Sequence, residues 1–307
     1  MTKLMPLSFR ILTFIFLLFP MISWTQTSVK VVTKKIEKTF NYRSGIEVNI
    51  EGEKAEVNIE TWDKANIQVV LEIIAKHPEQ QVAEKDLERV RYLADRVKNK
   101  IYLRNYISNE EKQGTPESSL SARYTITLPE DCPVYLKNNF GLANISNLSN
   151  NLRINSQFTK MNLTNIQGEL DIRTRFGDLI GNGIDGNVSI NSRRSNLYLN
   201  EIKGTFNIQA HYGVLEIFAD NNLLDLNLDA NKSDVFLYSP DPGIFSYDLT
   251  AQSSDLILPN SLGFKFEDNT PNLTKANFKP KQEVYANIAI TIQLGSLKVE
   301  KKKSKNF

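Results

Sequence analysis

The sequence contains a single cysteine, Cys132, and only two histidines, His77 and His211. One cysteine excludes an intramolecular disulfide, and the absence of a nearby base predicts that Cys132 is a buried structural thiol. Two distant histidines without clustered cysteine or acidic partners do not form a zinc site. Phosphate-binding glycine loops, nucleophile elbows and HExxH motifs are also missing. We therefore expect no enzyme activity, no metal and no cofactor.

A surplus of charge is lacking as well, with 37 basic and 35 acidic residues in the chain. Removal of residues 1–25 would take away Lys3 and Arg10 but no acidic residue, which leaves the two signs equal. Nucleic-acid binding requires a basic surplus, so we expect no nucleic-acid partner. The only charge run is the basic tail 301–307. It predicts a disordered end, with a membrane-surface patch as the alternative.

The N-terminal residues have the organisation of an export signal. Two early basic residues precede an apolar stretch at 11–22, and small residues at Ser23 and Thr25 follow it. This order predicts a secretory signal peptide over residues 1–25, cleaved after Thr25. An uncleaved anchor is the alternative, although a membrane-spanning helix needs about 20 apolar residues. The mature chain would be exported to the periplasm or the cell surface, or secreted, without an integral membrane segment.

The region 26–133 is predicted to be β-rich with one helix. Apolar residues alternate through residues 44–74, which is typical of strands, and strand-like runs return at 100–107 and 121–128. Between them, Pro78 and an apolar stripe spaced by three and four residues predict an amphipathic helix over about 78–97. The stripe consists of Ala83, Leu87, Val90, Ala94 and Val97.

From Phe140 onwards the chain repeats at a constant interval. Blocks begin at residues 140, 158, 176 and 194, and longer blocks follow from 212, 232 and 253. Positions 4, 6, 13 and 15 of the blocks are mostly apolar, position 17 is small, and position 11 is asparagine or glycine. Asn150, Gly168, Gly186 and Gly204 occupy position 11.

This pattern predicts a mainly β fold, a parallel β-solenoid (β-helix) with about 18 residues per coil. Two short alternating runs per block indicate two strands, and glycine between them suits a turn with positive φ. A constant period indicates that each block pairs with the next block. A sandwich of antiparallel hairpins is the alternative. We assign the solenoid to residues 134–260, an N-terminal cap to 26–133 and a C-terminal cap of strands to 261–300.

Position 3 of the blocks holds the only acidic ladder that could carry chemistry. Asp234 and Asp255 would lie on neighbouring coils, where they could share a cation or act as an acid pair. A solvated polar face is the simpler interpretation. Position 1 carries Phe140, Phe158 and Phe176, whose rings are predicted to stabilise the stack rather than bind sugars. The candidate ladder consists of Asp178, Asn196, Asp234 and Asp255.

The repeat core resembles the bacterial putative-adhesin family of β-helical envelope proteins. The resemblance rests on Asn139-Phe140-Gly141, Arg175-Phe176-Gly177-Asp178 and His211-Tyr212-Gly213, and on Thr61-Trp62-Asp63-Lys64. It implies a β-helical fold and an adhesive role, and it supplies no catalytic residues. Two functions remain open: a non-enzymatic binding or structural protein with an envelope protein or glycan as partner, and a carbohydrate-active β-helix enzyme.

Overall fold

The computed structural model describes residues 28–108, 114–282 and 285–302, and within these ranges most of the chain is β-strand. The predicted signal peptide lies outside the described residues. The N-terminal part has helix α1 (Gln80–Leu87) and strands β1 (Lys30–Asn41), β2 (Glu47–Glu53), β3 (Ala55–Trp62), β4 (Asn66–His77), β5 (Val90–Val97), β6 (Lys100–Ile107) and β7 (Ser119–Pro129).

The remaining strands, with a 3-10 turn at Pro242–Ile244, follow from residue 134. They are β8 (Val134–Ser146), β9 (Leu152–Arg175), β10 (Leu179–Arg193), β11 (Leu197–His211), β12 (Val214–Asn231), β13 (Asp234–Ser239), β14 (Ser246–Gln252), β15 (Asp255–Ile257), β16 (Lys265–Thr270), β17 (Leu273–Phe278), β18 (Asn287–Gln293) and β19 (Ser296–Lys301).

The described strands form one large, mostly parallel sheet, which confirms the mainly β class. In the middle of the chain, each strand pairs with the strand one block later. Leu179 lies between Met161 and Leu197, which hold the same position in the preceding and the following block. The sheet is not closed by its strand pairings.

The parallel pairings fall into two rows. The first row consists of the strand segments at block positions 13–18. It continues into β2 and β6 at one end and into β18 and β14 at the other. The second row contains block positions 3–7 together with β3, β7, β13, β19 and β15. The inward side chains of both rows belong to a single buried cluster, as the alternation of apolar residues predicts.

A sharp corner joins the two rows at block position 1, where the backbone is left-handed in every block. Phe158 has φ 51°, Phe176 has φ 57° and Arg194 has φ 53°. Such a conformation costs a bulky residue about 1–2 kcal/mol, so neighbouring contacts must offset it. The sequence did not predict this corner. The positive φ predicted at position 11 is found at Gly168, Gly186 and Gly204 but not at Asn150.

Position 2, next to the corner, alternates between glycine and a hydroxyl residue from one strand to the next. The Gly177 N–H donates to Ser195 Oγ at 3.2 Å, and the Gly213 N–H donates to Ser233 Oγ at 3.3 Å. A Cβ on Gly177 would lie 2.1 Å from the Thr159 carbonyl oxygen, so a side chain does not fit there. We call this set the corner column. In spatial order it is Gly141, Thr159, Gly177, Ser195, Gly213, Ser233, Gly295 and Ser254.

The predicted helix over about 78–97 is wrong in its second half. Helix α1 ends at Leu87, and β5 pairs antiparallel with β6. Lys98 adopts φ 55° at the tight turn between the two strands. The apolar stripe does not form a buried helix face, because residues 90–97 pair with β6 instead and Val97 of the stripe is exposed. Ala83 is buried where α1 packs against β1 and β4.

The predicted C-terminal cap is wrong in its placement. Strand β18 lies between β12 and β14, and β19 lies between β13 and β15, so the last strands insert into the stack instead of covering its end. Antiparallel β17 and β16 lie beyond β14 at that end of the first row. The disorder predicted for residues 301–307 is wrong for the first two of them. Lys301 ends β19 and the Lys302 N–H donates to the Ser239 carbonyl at 2.7 Å, while residues 303–307 lie outside the described part.

Candidate binding surfaces

The acidic ladder predicted at position 3 is used for hydrogen bonds within the stack. Asp178 Oδ1 accepts from the Asn196 backbone N–H at 3.0 Å, and Asn196 Oδ1 accepts from the Val214 N–H at 3.0 Å. Asp234 Oδ1 accepts from the Ser296 hydroxyl at 2.6 Å. The carboxylates of Asp178 and Asp234 therefore accept hydrogen bonds from polar groups of neighbouring strands, which is a structural role.

Asp234 and Asp255 are not on neighbouring strands. Each pairs with Ser296 of β19, which lies between them. Two strand spacings separate them by about 9.6 Å, so the expectation that they share a cation is wrong. No group of three or more histidine, cysteine, aspartate or glutamate side chains in the described part of the chain is arranged to hold a metal ion.

The aromatic side chains at the corner stack on one another while their edges face solvent. The ring centroids of Phe140 and Phe158 are 4.9 Å apart with an interplanar angle of 2°, and those of Phe158 and Phe176 are 4.8 Å apart at 5°. The Arg194 guanidinium continues the column, with its Cζ 5.5 Å from the Phe176 centroid and 5.7 Å from the Tyr212 centroid. Sugar rings bind on aromatic faces, and here neighbouring groups occupy those faces. The column therefore stabilises the corner, as predicted.

The outward side of the first row carries a polar groove of about 550 Å³ that crosses four strand runs. Side-chain amides line it, and Asn191 Nδ2 donates to Gln209 Oε1 at 3.0 Å. Arg173 and Arg175 border the groove. We call this the first-row groove. Its other lining side chains include Asn155, Gln157, Asp171, Ser189 and Asn207.

The basic residues beside this groove are concentrated on two adjacent strands. Arg175 pairs directly with Arg193 in the register, and Arg193 pairs with His211. Arg173 lies 3.9 Å from Asp171, and its side chain is 72% exposed, so that contact is weak. Among the described residues, no acidic side chain lies within ion-pair distance of Arg175, Arg193 or Arg194. The set Arg173, Arg175, Arg193 and Arg194 is called the arginine patch.

A second cleft, of about 810 Å³, lies beside helix α1. Asp86 and Arg89 line it and are almost fully buried, with their charged atoms 3.8 Å apart. Burial tends to raise the pKa of Asp86, but the hydrogen bond from the Ser118 N–H at 2.8 Å and the charge of Arg89 hold it below its ordinary value. Arg89 also donates to the Gly114 carbonyl at 2.7 Å. The pair holds Gly114 and Ser118, which precede β7, close to α1.

Cys132 and the two histidines have structural or surface positions. Cys132 is buried beside the Ile46 carbonyl, and this burial raises the pKa of its thiol to about 12. A protonated, buried thiol is inert, as the sequence predicted. His211 is exposed on the outward side of the first row. His77 lies at the turn before α1, where its Nδ1 accepts from the Glu79 N–H at 3.0 Å.

No helix among the described residues has both the length and the apolar composition needed to cross a membrane. No protein-family model matches the chain, and no curated protein matches it. Solved structures do. A putative adhesin from Bacteroides fragilis is 13% identical, with 87% of this chain and 97% of that chain covered and a TM-score of 0.48.

Two further solved structures from related bacteria are similar. A putative adhesin from Parabacteroides merdae is 12% identical over 88% of this chain and 96% of that chain, with a TM-score of 0.37. A structure from Parabacteroides distasonis, described as a putative lipid binding protein, is 11% identical over 88% and 97%, with a TM-score of 0.34. The resemblance to putative adhesins predicted from the sequence is thus confirmed, at low sequence identity.

Proposed function

We propose that this chain is an exported, non-enzymatic envelope protein whose first-row face is a contact surface for an envelope protein or a glycan. The observation that carries the proposal is the first-row groove, where amide, hydroxyl and guanidinium side chains from four successive strand runs face outward together. Regularly spaced hydrogen-bonding groups suit recognition of an extended partner.

The proposal includes a β-solenoid architecture in the middle of the chain, with one block of the repeat in each coil. The constant offset between paired residues and the corner at each position 1 support it. In such a stack each coil contacts its neighbours, and the result is a long, rigid face. Rigidity lowers the entropic cost of binding, because the partner meets side chains that are already ordered.

We propose export to the periplasm or the cell surface on the strength of residues 1–25 in the sequence. Absence of disulfides is compatible with an exported protein whose stability comes from stacked strands, because backbone hydrogen bonds and one continuous core supply the stability. A mass-spectrometric N-terminus at Gln26 in the secreted or periplasmic fraction supports this proposal, and an intact N-terminus at Met1 contradicts it.

The carbohydrate-active enzyme is the second candidate, and the position 3 ladder is the feature that would favour it. The side chains of Asp178, Asn196 and Asp234 are engaged with backbone and hydroxyl groups of neighbouring strands. They also lie outside the first-row groove. A glycosidase needs two carboxylates that converge on one bond. The double variant Asp234→Asn/Asp255→Asn tests this candidate. If the unmodified protein hydrolyses a polysaccharide and the double variant does not, the chain is an enzyme.

The direct test of the proposed function is capture of a partner from the bacterial envelope. The purified protein is immobilised and exposed separately to envelope polysaccharides and to solubilised envelope proteins. We expect one defined polysaccharide or protein to be retained and to be eluted without chemical change. Retention of nothing specific, or turnover of the retained polysaccharide, contradicts the proposal.

A further inference from the structure

We propose that the arginine patch binds the acidic groups of an anionic polysaccharide that lies along the first-row groove. This inference rests on the proposed function and specifies the chemistry of the partner. It starts from the distribution of charge, because Arg173, Arg175 and Arg193 lie together on two adjacent strands of the first-row face while the chain as a whole has almost no net charge.

The arrangement of Arg175 and Arg193 is unfavourable without an anion. They are direct register partners on parallel strands, about 4.8 Å apart, on the same side of the sheet. Like charges in this position repel and destabilise a sheet. Two other arginines on strands have carboxylate partners, as Arg104 has Glu51 at 3.3 Å and Arg123 has Glu56 at 3.1 Å. An external anion would supply the missing partner.

Guanidinium groups suit the acids that polysaccharides carry. The planar fork of arginine donates two parallel hydrogen bonds to a carboxylate, sulfate or phosphate. Arg194 is held in place between the rings of Phe176 and Tyr212, so one of the four groups is ordered before a ligand arrives. Arg175 and Arg193 lie about 4.8 Å apart on two adjacent strands, so they can contact neighbouring acidic groups of one polymer.

The rest of the groove favours a polysaccharide over a lipid surface or a nucleic acid. The amides of Asn155, Asn191 and Gln209 line it and can donate to and accept from sugar hydroxyls. Apolar side chains that could enter a bilayer do not line the groove, since Ile190 there is 2% exposed. The rings of Phe158 and Phe176 have neighbouring groups on both faces, which leaves these two rings no free face for a nucleotide base.

The test measures binding of two acidic polysaccharides, polygalacturonate and dextran sulfate, by calorimetry at low and high salt. Neutral methyl-esterified polygalacturonate is the control ligand. Arg175→Gln/Arg193→Gln removes two patch charges. Arg91→Gln/Arg96→Gln removes two exposed charges from β5, away from the groove, and serves as the matched variant.

We expect the unmodified protein to bind at least one acidic polysaccharide, to bind the neutral polymer far more weakly, and to lose affinity as salt is raised. The patch variant should bind at least about tenfold more weakly, and the β5 variant should bind as the unmodified protein does. Binding of neither polyanion, equal losses in both variants, or arginine-dependent binding of anionic vesicles or DNA in place of the polysaccharides overturns the inference.

Envelope capture separates this inference from the proposed function. If a specific envelope partner is retained equally by the unmodified protein and by the patch variant, the contact surface stands and the anionic polysaccharide is wrong. If no partner is retained and no polyanion binds, both are wrong.

Discussion

The corner column makes a quantitative prediction for Gly177→Ala. Gly177 has no left-handed backbone requirement, so the substitution tests space alone, and its Cβ would lie 2.1 Å from the Thr159 carbonyl oxygen. Ordinary contact needs a clearly larger separation, which the neighbouring strands can provide only by moving apart. That movement weakens two hydrogen bonds of Gly177. Its N–H donates to Ser195 Oγ, and its carbonyl oxygen accepts from Thr174 Oγ1. Overpacking and two weakened bonds together should lower the free energy of unfolding by about 2–4 kcal/mol.

Two other glycines provide controls for this prediction. Gly45 has φ 87° with no atom within 4 Å of an added Cβ, so Gly45→Ala isolates the backbone strain and should cost about 1 kcal/mol. Gly263 has neither strain nor close neighbours, and Gly263→Ala should change stability by less than about 0.5 kcal/mol. Urea unfolding followed by circular dichroism measures all three. A Gly177→Ala protein as stable as the Gly263→Ala protein would refute the close approach of strands at the corner.

Three further predictions concern the corner, the α1 cleft and the thiol. Phe158→Ala removes two ring stacks, with centroid distances of 4.9 and 4.8 Å, and should lower the free energy of unfolding, measured in urea, by about 1–3 kcal/mol. No change would mean that the exposed rings do not stabilise the corner. Asp86 has a lowered pKa in the folded state, so its carboxylate stabilises the protein above about pH 4, and this stabilisation is lost as the pH falls further. Asp86→Asn should therefore be less stable than the unmodified protein at pH 7. In urea titrations the difference in stability should shrink at pH 3. Cys132 should resist maleimide until guanidinium chloride unfolds the protein, because its thiol is buried and its pKa is raised to about 12; rapid labelling of the folded protein, read by mass spectrometry, would contradict this.

The repeat could be predicted because its determinants are local in sequence. Alternating apolar residues choose the inward face, and a constant period sets which residues pair, so Met161, Leu179 and Leu197 are neighbours in the sheet as their shared column suggests. The left-handed corner could not be predicted from residue type, because phenylalanine is an unusual choice for positive φ. It is stabilised by contacts between blocks, which a single block does not reveal.

The insertion of the C-terminal strands depends on a pairing between residues far apart in the chain. Strand β19 pairs with β13 although five other strands and the 3-10 turn come between them in sequence, so no local pattern links the two. One signal was present. Glycine and hydroxyl residues alternate at position 2, but consecutive blocks place Ser233 and Ser254 in succession. Gly295 restores the alternation when β19 enters between them, and its N–H donates to Ser254 Oγ at 3.1 Å.

The candidate surfaces were less predictable than the fold. The carboxylates at position 3 suggested a cation site or an acid pair, but Asp178 and Asp234 form hydrogen bonds between strands. The arginine patch is not apparent at position 18 alone, where Gln157, Arg175, Arg193 and His211 share only their polarity. The parallel pairing of successive blocks places the guanidinium groups of Arg175 and Arg193 side by side.

Selective labelling of the first-row face tests the central claim most directly. Because Cys132 is buried, Asn191→Cys introduces the only reactive thiol at the first-row groove, and Thr164→Cys introduces one on the outward side of the second row. Each variant is coupled to a bulky maleimide, and capture of the envelope partner is measured before and after coupling. The account predicts that labelling at residue 191 abolishes capture and that labelling at residue 164 leaves it unchanged. Capture that survives the label at 191, or is lost equally at both positions, would contradict it.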